Sequence, residues 1–284
     1  MKEENPDYIL LITLMAYMPW LAFARLKSHS VRGIIYRIYL YDTISGLRKL
    51  INHAIYTLFS HRKSIDKVFI LNDDNIAQKL NEIYHTSNFY FLPDPVPSIN
   101  RMNVKNIRGE LGIKTSDKMY LHFGGLTERK GTLAILETLV MMRNEDLEDK
   151  VFVFAGMVYD NIKKRFYALK KNLDQKVRIL VYDEFCTYSM INNLCQSCDV
   201  ILIPYLDTGQ SSGVIGYASF FNKPVIGPSD GLVGSLIKVY NMGVTLDKIS
   251  CETLKDSICD TLPVISNDYY KEHTVDAFIS AMLS

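Results

Sequence analysis

The sequence predicts an α/β protein of two Rossmann-like domains, the first of them incomplete. Three observations carry that reading. Short apolar runs alternate with segments of helical period along nearly the whole chain, and such alternation implies parallel sheets with helices on their faces. Two glycine-rich turns, at residues 124–131 and 208–213, each close a strand-like run and open a helical one. Finally, Pro93-Asp94-Pro95-Val96-Pro97 places three prolines in five residues, a stiff extended stretch that divides residues 1–95 from 96–284. About 95 residues precede that division, roughly half of what a complete Rossmann-like domain needs.

Composition narrows the function classes. The chain has 284 residues, 48% of them hydrophobic, which is enough apolar material for a proper core in one or two domains. A net charge of +1 gives no electrostatic case for nucleic acid as a partner. The five cysteines are few, odd in number and clustered late, which fits a reducing compartment better than a disulfide framework. Cys195 and Cys198 have the spacing of half a zinc site, but no second Cys or His pair accompanies them, so they read as core residues and no metal is expected.

In chain order, Met1-Lys2-Glu3-Glu4 lacks the basic start of a signal peptide. The apolar run that follows is interrupted by Pro19 and ended by Arg25, so residues 8–14 read as a buried strand with a helix after it, not as a transmembrane span. Bulky Met18, Trp20, Leu21 and Phe23 leave a membrane-facing helix as the alternative, and peripheral membrane association as one expected contact. Residues 31–36 read as a strand, 43–59 as a helix, 67–71 as a strand, 75–84 as a helix and 89–92 as a strand. Arg48, Lys49, His53, His61, Arg62 and Lys63 make the segment around the first long helix basic, either a solvated face or a surface for an acceptor or a membrane.

The second half is more legible. Residues 118–123 alternate as a strand ending in Gly124-Gly125-Leu126-Thr127-Glu128-Arg129-Lys130-Gly131, and a helix follows with Leu133, Leu136, Leu139, Val140 and Met142 on its apolar face. Strands are expected at 151–155, 177–182, 199–204, 224–227 and, at an edge, 243–246. Helices are expected at 163–172, 187–198, from about 210, at 251–262 and, as a single final helix, at 268–283.

The chemistry gathers at the carboxyl ends of these strands. A Gly- and Ser-rich turn feeding a helix offers unpaired backbone N–H groups and a positive dipole end, which suits a phosphate. Gln210-Ser211-Ser212-Gly213 forms such a turn, although Ser211 or Ser212 capping the helix is the plainer reading. Gly124 and Gly125 let a ligand approach the backbone, and Arg129 and Lys130 supply cationic heads at the same edge. Together the two turns suit a diphosphate whose charge must be neutralised as it leaves. His122 at a strand end reads as a core histidine, with a catalytic role as the alternative; Asp230-Gly231-Leu232-Val233-Gly234 reads equally as a third ligand loop or a plain turn.

Taken together, Phe123-Gly124-Gly125-Leu126 with Lys130-Gly131, Phe154-Ala155-Gly156, residues 199–204, Ser212-Gly213-Val214 and Lys223-Pro224-Val225-Ile226-Gly227 resemble a family 4 glycosyltransferase of GT-B architecture. The resemblance covers the chain from about Ile65 onward. It implies that the second domain holds a nucleoside-diphosphate sugar as donor substrate, with no cofactor or metal, and passes the sugar to a sugar or lipid-linked acceptor with retention. It further implies that Lys130 with Arg129 neutralises the donor diphosphate, that the amides of Ser211, Ser212 and Gly213 hold a phosphate or the sugar, and that Tyr182, Glu184 and Phe185 border the nucleobase. Polysaccharide or glycolipid assembly, in the cytoplasm at the inner membrane face, is the setting it implies.

Three departures from the family pattern keep other readings open. Gly125 stands where the family often has arginine. Gly209 and Tyr217 stand where it has two glutamates, which leaves Gln210 and Asp230 as candidates for those contacts. The short first domain leaves the sheet an edge and an apolar face to be covered, which a partner chain supplying the other half would do. The alternatives are a non-catalytic donor-binding or scaffold subunit, a fragment of a split transferase, and a sugar-nucleotide epimerase of the same architecture.

Overall fold

The computed structural model describes residues 8–23, 30–36 and 46–284, so the expectations on Met1–Glu4, on Arg25 and on the start of the helix at 43–45 lie outside the described residues. The chain divides into two compact units, one of Met1–Asp94 with Asp276–Ser284, the other of Pro95–Val275. The division falls inside the proline-rich stretch.

In the first unit, β1 (Tyr8–Leu11), α1 (Met18–Leu21), β2 (Ser30–Ile35), α2 (Leu47–Ser60), β3 (Ile65–Leu71), α3 (Asp74–Tyr84) and β4 (Phe89–Leu92) follow one another. The four strands pair in sequential order, all parallel. In a sequential parallel sheet, crossovers of one hand all fall on the same face. Strand alternation then fixes what lies where: Val31, Ile35, Val68 and Ile70 pack with Leu14, Met18, Tyr56, Phe59, Leu80 and Tyr84 beneath the helices. Ile34, Phe69, Leu71 and Leu92 point the other way. That second face is closed from the far end of the sequence, by Phe278, Ala281 and Met282, while Arg32 Nη1 donates to the Met282 carbonyl at 2.9 Å. The β1 strand is half exposed rather than buried as expected, because it pairs only with β2 and forms the sheet edge among the described residues. Asp73 starts α3 by accepting from Ile76 N at 3.0 Å, a side-chain cap.

Truncating Phe278 to alanine removes the largest apolar contact on the second face. We expect it to lower the unfolding free energy by about 2 kcal/mol in a urea titration followed by circular dichroism.

The second unit runs β5 (Lys118–Phe123), α4 (Thr132–Met141), β6 (Lys150–Ala155), α5 (Asp160–Leu173), β7 (Arg178–Tyr182), α6 (Tyr188–Ser197), β8 (Val200–Leu202), α7 (Gly213–Phe220), β9 (Val225–Pro228), α8 (Gly231–Val239), β10 (Gly243–Leu246), α9 (Cys251–Cys259) and α10 (Asp268–Glu272). Its sheet has the order β10-β9-β8-β5-β6-β7 with every pair parallel. The winding reverses between β5 and β8, so their carboxyl ends part and leave the crevice in which α/β sheets bind ligands. Met119, Leu121 and Phe123 pack on one face with Leu194, Ile215 and Ala218, and Tyr120, Phe152 and Phe154 on the other with Leu136, Phe166 and Leu254.

Several expectations are corrected here. Residues 230–234 are not a plain turn but the start of α8, with Asp230 at its N-cap position. The final helix is two, α10 and α11 (Val275–Leu283), broken at His273. His273 stacks on Tyr269 with ring centres 3.8 Å apart, and its carbonyl accepts from Val96 N at 2.8 Å, so the chain is held at the point where it leaves the second unit. Cys195 and Cys198 lie in the core with Ile201 and Ile215; burial pushes the Cys198 thiol up to about 12 and the Cys195 thiol well up. Among the described residues no helix is long and apolar enough to cross a membrane.

Candidate functional site

The site is built where β5 and β8 end. β5 stops at Gly124, whose φ of +93° suits glycine, and the chain loops back through Lys130 to Gly131, φ +72°, which caps α4. From β8 the chain passes Pro204 and Tyr205 to the turn that opens α7. The two loops are tied to each other: Leu206 N donates to the Arg129 carbonyl at 2.8 Å. Gly131 lies against Pro204 so closely that a Cβ there would fall 2.0 Å from the Pro204 carbonyl oxygen.

Lys130 is the centre of this arrangement. A Cβ at Gly124 would fall 2.7 Å from Lys130 Nζ, so the ammonium lies over a position that only glycine leaves open. Its other neighbour is the Tyr205 ring, 5.6 Å from Nζ to the centroid. Neither Lys130 nor Arg129 makes an ion pair with any described residue. Burial, and then the neighbouring Arg129 charge, lower the Lys130 pKa to about 8. A half-buried cation with no carboxylate partner is an incomplete charge arrangement, which an anionic ligand would complete.

The opposite wall is the amino end of α7. Every residue of this helix from Val214 to Phe220 is buried, as expected of a helix apolar all round, so its axis points out of the core at the loop. Ser212 sits at the N-cap but its hydroxyl does not cap: it pairs with Tyr205 OH at 3.0 Å, which corrects the plainer reading of this turn for Ser212. Ile215 N donates to the Ser212 carbonyl at 3.0 Å, and the positive end of the α7 dipole faces the cavity at Gly213 and Val214. Tyr205 itself is buried, which pushes its hydroxyl up to about 12 and keeps it a neutral donor.

Between these walls lies a cavity of about 320 Å³, lined by Phe123, Arg129, Lys130, Tyr205, Gln210, Ser211, Ser212, Gly213, Val214 and Tyr217. Of the residues singled out in the sequence, Lys130, Arg129, Gln210, Ser211, Ser212 and Gly213 meet here, and Gly124 lies under the Lys130 ammonium. Gly125 faces the Tyr159 ring instead, beside a second and more open hollow of about 750 Å³ that Arg129 also lines. Tyr182 ends β7 and Glu184 and Phe185 follow it, two strands from β5, and none of the three lines the first cavity. Asp230 does not line it either; its carboxylate accepts from Ser229 Oγ at 3.4 Å. Phe123, Tyr205 and Tyr217 are lining residues that the sequence reading did not propose. Tyr205 was the readable one, since it directly follows the proline at a strand end that feeds a candidate anion loop.

His122 does not line the cavity. It is buried, with Nδ1 2.8 Å from the Leu202 carbonyl and Nε2 3.0 Å from Thr132 Oγ1, and burial lowers its pKa to about 4. It is a neutral bridge between β5, β8 and α4.

The Lys130 titration has a sign that can be checked. An anion binds the protonated form, so affinity is fully present below the unliganded pKa of about 8 and is lost as pH rises above it. We expect nucleoside diphosphate affinity to be flat from pH 7 to near 8 and to fall by up to tenfold per pH unit above that, with a proton taken up on binding. The Lys130→Arg variant, whose charge does not titrate, removes the dependence in the same calorimetric titration.

The sequence matches no protein-family model, and no curated protein matches it. Solved structures do. WaaG, a glycosyltransferase involved in lipopolysaccharide biosynthesis, aligns over 91% of this chain and 75% of its own with a TM-score of 0.59 and 16% identity. Anabaena HepE in complex with UDP aligns over 90% and 71%, with a TM-score of 0.64 and 13% identity. A glycosyltransferase from Rickettsia africae ESF-5 aligns over 90% and 72%, with a TM-score of 0.58 and 13% identity. At such identities the likeness carries the fold, which is the two-domain Rossmann-like GT-B architecture.

Proposed function

We propose that the chain is a glycosyltransferase that moves a sugar from a nucleoside-diphosphate donor to an acceptor hydroxyl with retention. The observation that carries this reading is the unpaired, half-buried Lys130 facing the amino end of α7 across the cavity at the β5–β8 switch point. In this reading Lys130, Arg129 and the amides of Ser211 to Gly213 hold the diphosphate, and no metal enters the scheme. Their fixed positive charge meets the negative charge that grows on the leaving phosphate as the bond from the sugar C1 breaks. The acceptor oxygen forms its bond to C1 on the face the diphosphate leaves, and the acceptor proton passes to the departing phosphate oxygen. No carboxylate lines the cavity among the described residues, so that oxygen is the base at hand. That HepE, of the same fold, is in complex with UDP supports a nucleotide ligand for this chain.

The same absence of a lining carboxylate favours a second reading, a subunit that binds the donor without transferring it. Turnover separates the two. Given each of the UDP-, GDP- and ADP-sugars, the transferase releases free sugar by slow transfer to water, and proton NMR of the fresh product shows the donor's anomer first. The inverted anomer would contradict retention, and binding without any release would leave the donor-binding subunit. The proposed setting is polysaccharide or glycolipid assembly at the cytoplasmic face of a membrane.

A further inference from the structure

One buried hydroxyl in the first cavity is left without a protein partner. Two other buried tyrosines of the second unit pair theirs: Tyr120 Oη donates to the Ile258 carbonyl at 2.6 Å, and Tyr205 Oη meets Ser212 Oγ at 3.0 Å. Tyr217 is also buried, only 8% exposed, yet its hydroxyl pairs with no described residue. The oxygen is not sealed from solvent, and the residue lines the cavity. A hydroxyl so placed is satisfied by whatever fills the cavity. Burial pushes it up to about 12, so it keeps its proton and stays a neutral donor.

The place of Tyr217 on α7 narrows what that occupant is. It stands four residues after Gly213, so the two share a helix face, and helix side chains lean toward the N-terminus. The phenol therefore leans back toward the Gly213 end, where no heavy atom lies within 4 Å of the Cβ position and room is left. Four residues of helix rise about 6 Å. That matches a ring bonded to a phosphate held at the α7 amino end better than it matches the phosphate itself. The Phe123 ring stands edge-on to Tyr217, centroids 5.6 Å apart at 86°, so the two form an aromatic wall with one hydrogen-bonding group. A sugar ring, apolar at its C–H positions and rimmed by hydroxyls, is complementary to such a wall.

We propose that Tyr217 is a specificity-determining residue that holds a hydroxyl of the sugar ring next to the bound phosphate, with Phe123 against the ring's apolar side. The inference rests on the donor-site reading and deepens it. The ring is either the ribose or the transferred sugar, and the ligands of the test separate them. Tyr217→Phe keeps the aromatic ring and its packing on Phe123, so the melting temperature stays within about 1 °C. Calorimetry compares this variant with the wild type for four ligands. They are the nucleoside diphosphate bound best among UDP, GDP and ADP, its 2′,3′-dideoxy analogue, its glucose ester, and inorganic pyrophosphate. The expected result is about three- to tenfold weaker binding of the glucose ester by the variant, the usual effect of one hydrogen bond, with pyrophosphate unaffected. A ribose contact weakens the nucleoside diphosphate as well, while the dideoxy analogue binds both proteins alike. A loss confined to the glucose ester assigns the contact to the transferred sugar. Equal affinities of the two proteins for every ligand, or a loss for pyrophosphate as large as for the glucose ester, overturns the proposal and leaves the donor site standing. A wild type that binds none of the three nucleoside diphosphates overturns the donor-site reading, and this inference with it.

Discussion

Replacing Lys130 by alanine is expected to lower turnover by about 10²–10³-fold, the usual cost of removing one fixed donor from a site that stabilises developing negative charge. The reasons are specific to its surroundings. Nζ is half-buried over Gly124, faces no carboxylate and shares its cavity with the opening amides of α7, so its field reaches a bound phosphate with little screening by water. The loss falls mainly on kcat, because charge on the diphosphate grows toward the transition state. Lys130→Arg restores charge but not shape, since a planar guanidinium does not fit above Gly124 as an ammonium does, and it recovers only part of the rate. Steady-state kinetics of both variants check this, and unchanged turnover in Lys130→Ala would remove the residue from the mechanism.

The second large effect is structural. A methyl group at Gly131 would lie 2.0 Å from the Pro204 carbonyl oxygen, at a φ of +72° that alanine rarely adopts. Both loops would have to shift, and the pairing of Leu206 N with the Arg129 carbonyl would open with them. Gly131→Ala is expected to cost about 2–4 kcal/mol and to lower the melting temperature by roughly 5–10 °C, with nucleotide affinity lost alongside because Lys130 is the adjacent residue. Gly109→Ala is the control: no heavy atom lies within 4 Å of its Cβ position and its φ is unstrained, so the melting temperature stays within about 1 °C. A calorimetric scan of the two variants decides it.

These effects show which parts of the molecule were legible from sequence. Periodicity located the strands and most helices of the second unit, because parallel strands buried on both faces are short, continuous and apolar, as Met119 to Phe123 and Val151 to Ala155 are. Glycine punctuation located both loops for a physical reason, since Gly124 and Gly131 hold positive φ. What sequence spacing does not encode is strand order. Tyr120 and Val200 are paired neighbours across 80 positions of chain, and that adjacency brings Lys130 to Ser212. For the same reason Tyr217, on the first turns of α7, was read only as a departure from a family pattern, although it lines the cavity. The α8 helix was missed because Gly231 and Gly234 look like a turn; Gly234 is instead a close approach, its Cβ position 2.3 Å from Ser229 backbone. The break at His273 depends on Val96, far away in sequence, so no local pattern announces it.

The most direct test of a donor site at Lys130 is an equilibrium titration of the purified chain with UDP, GDP and ADP at pH 7, beside the Lys130→Ala variant, by saturation-transfer NMR. The account predicts that one nucleoside diphosphate binds, with saturation reaching its ribose and base protons, and that the signal disappears in the variant. Binding of none of the three, or binding that survives the loss of Lys130 undiminished, would contradict it.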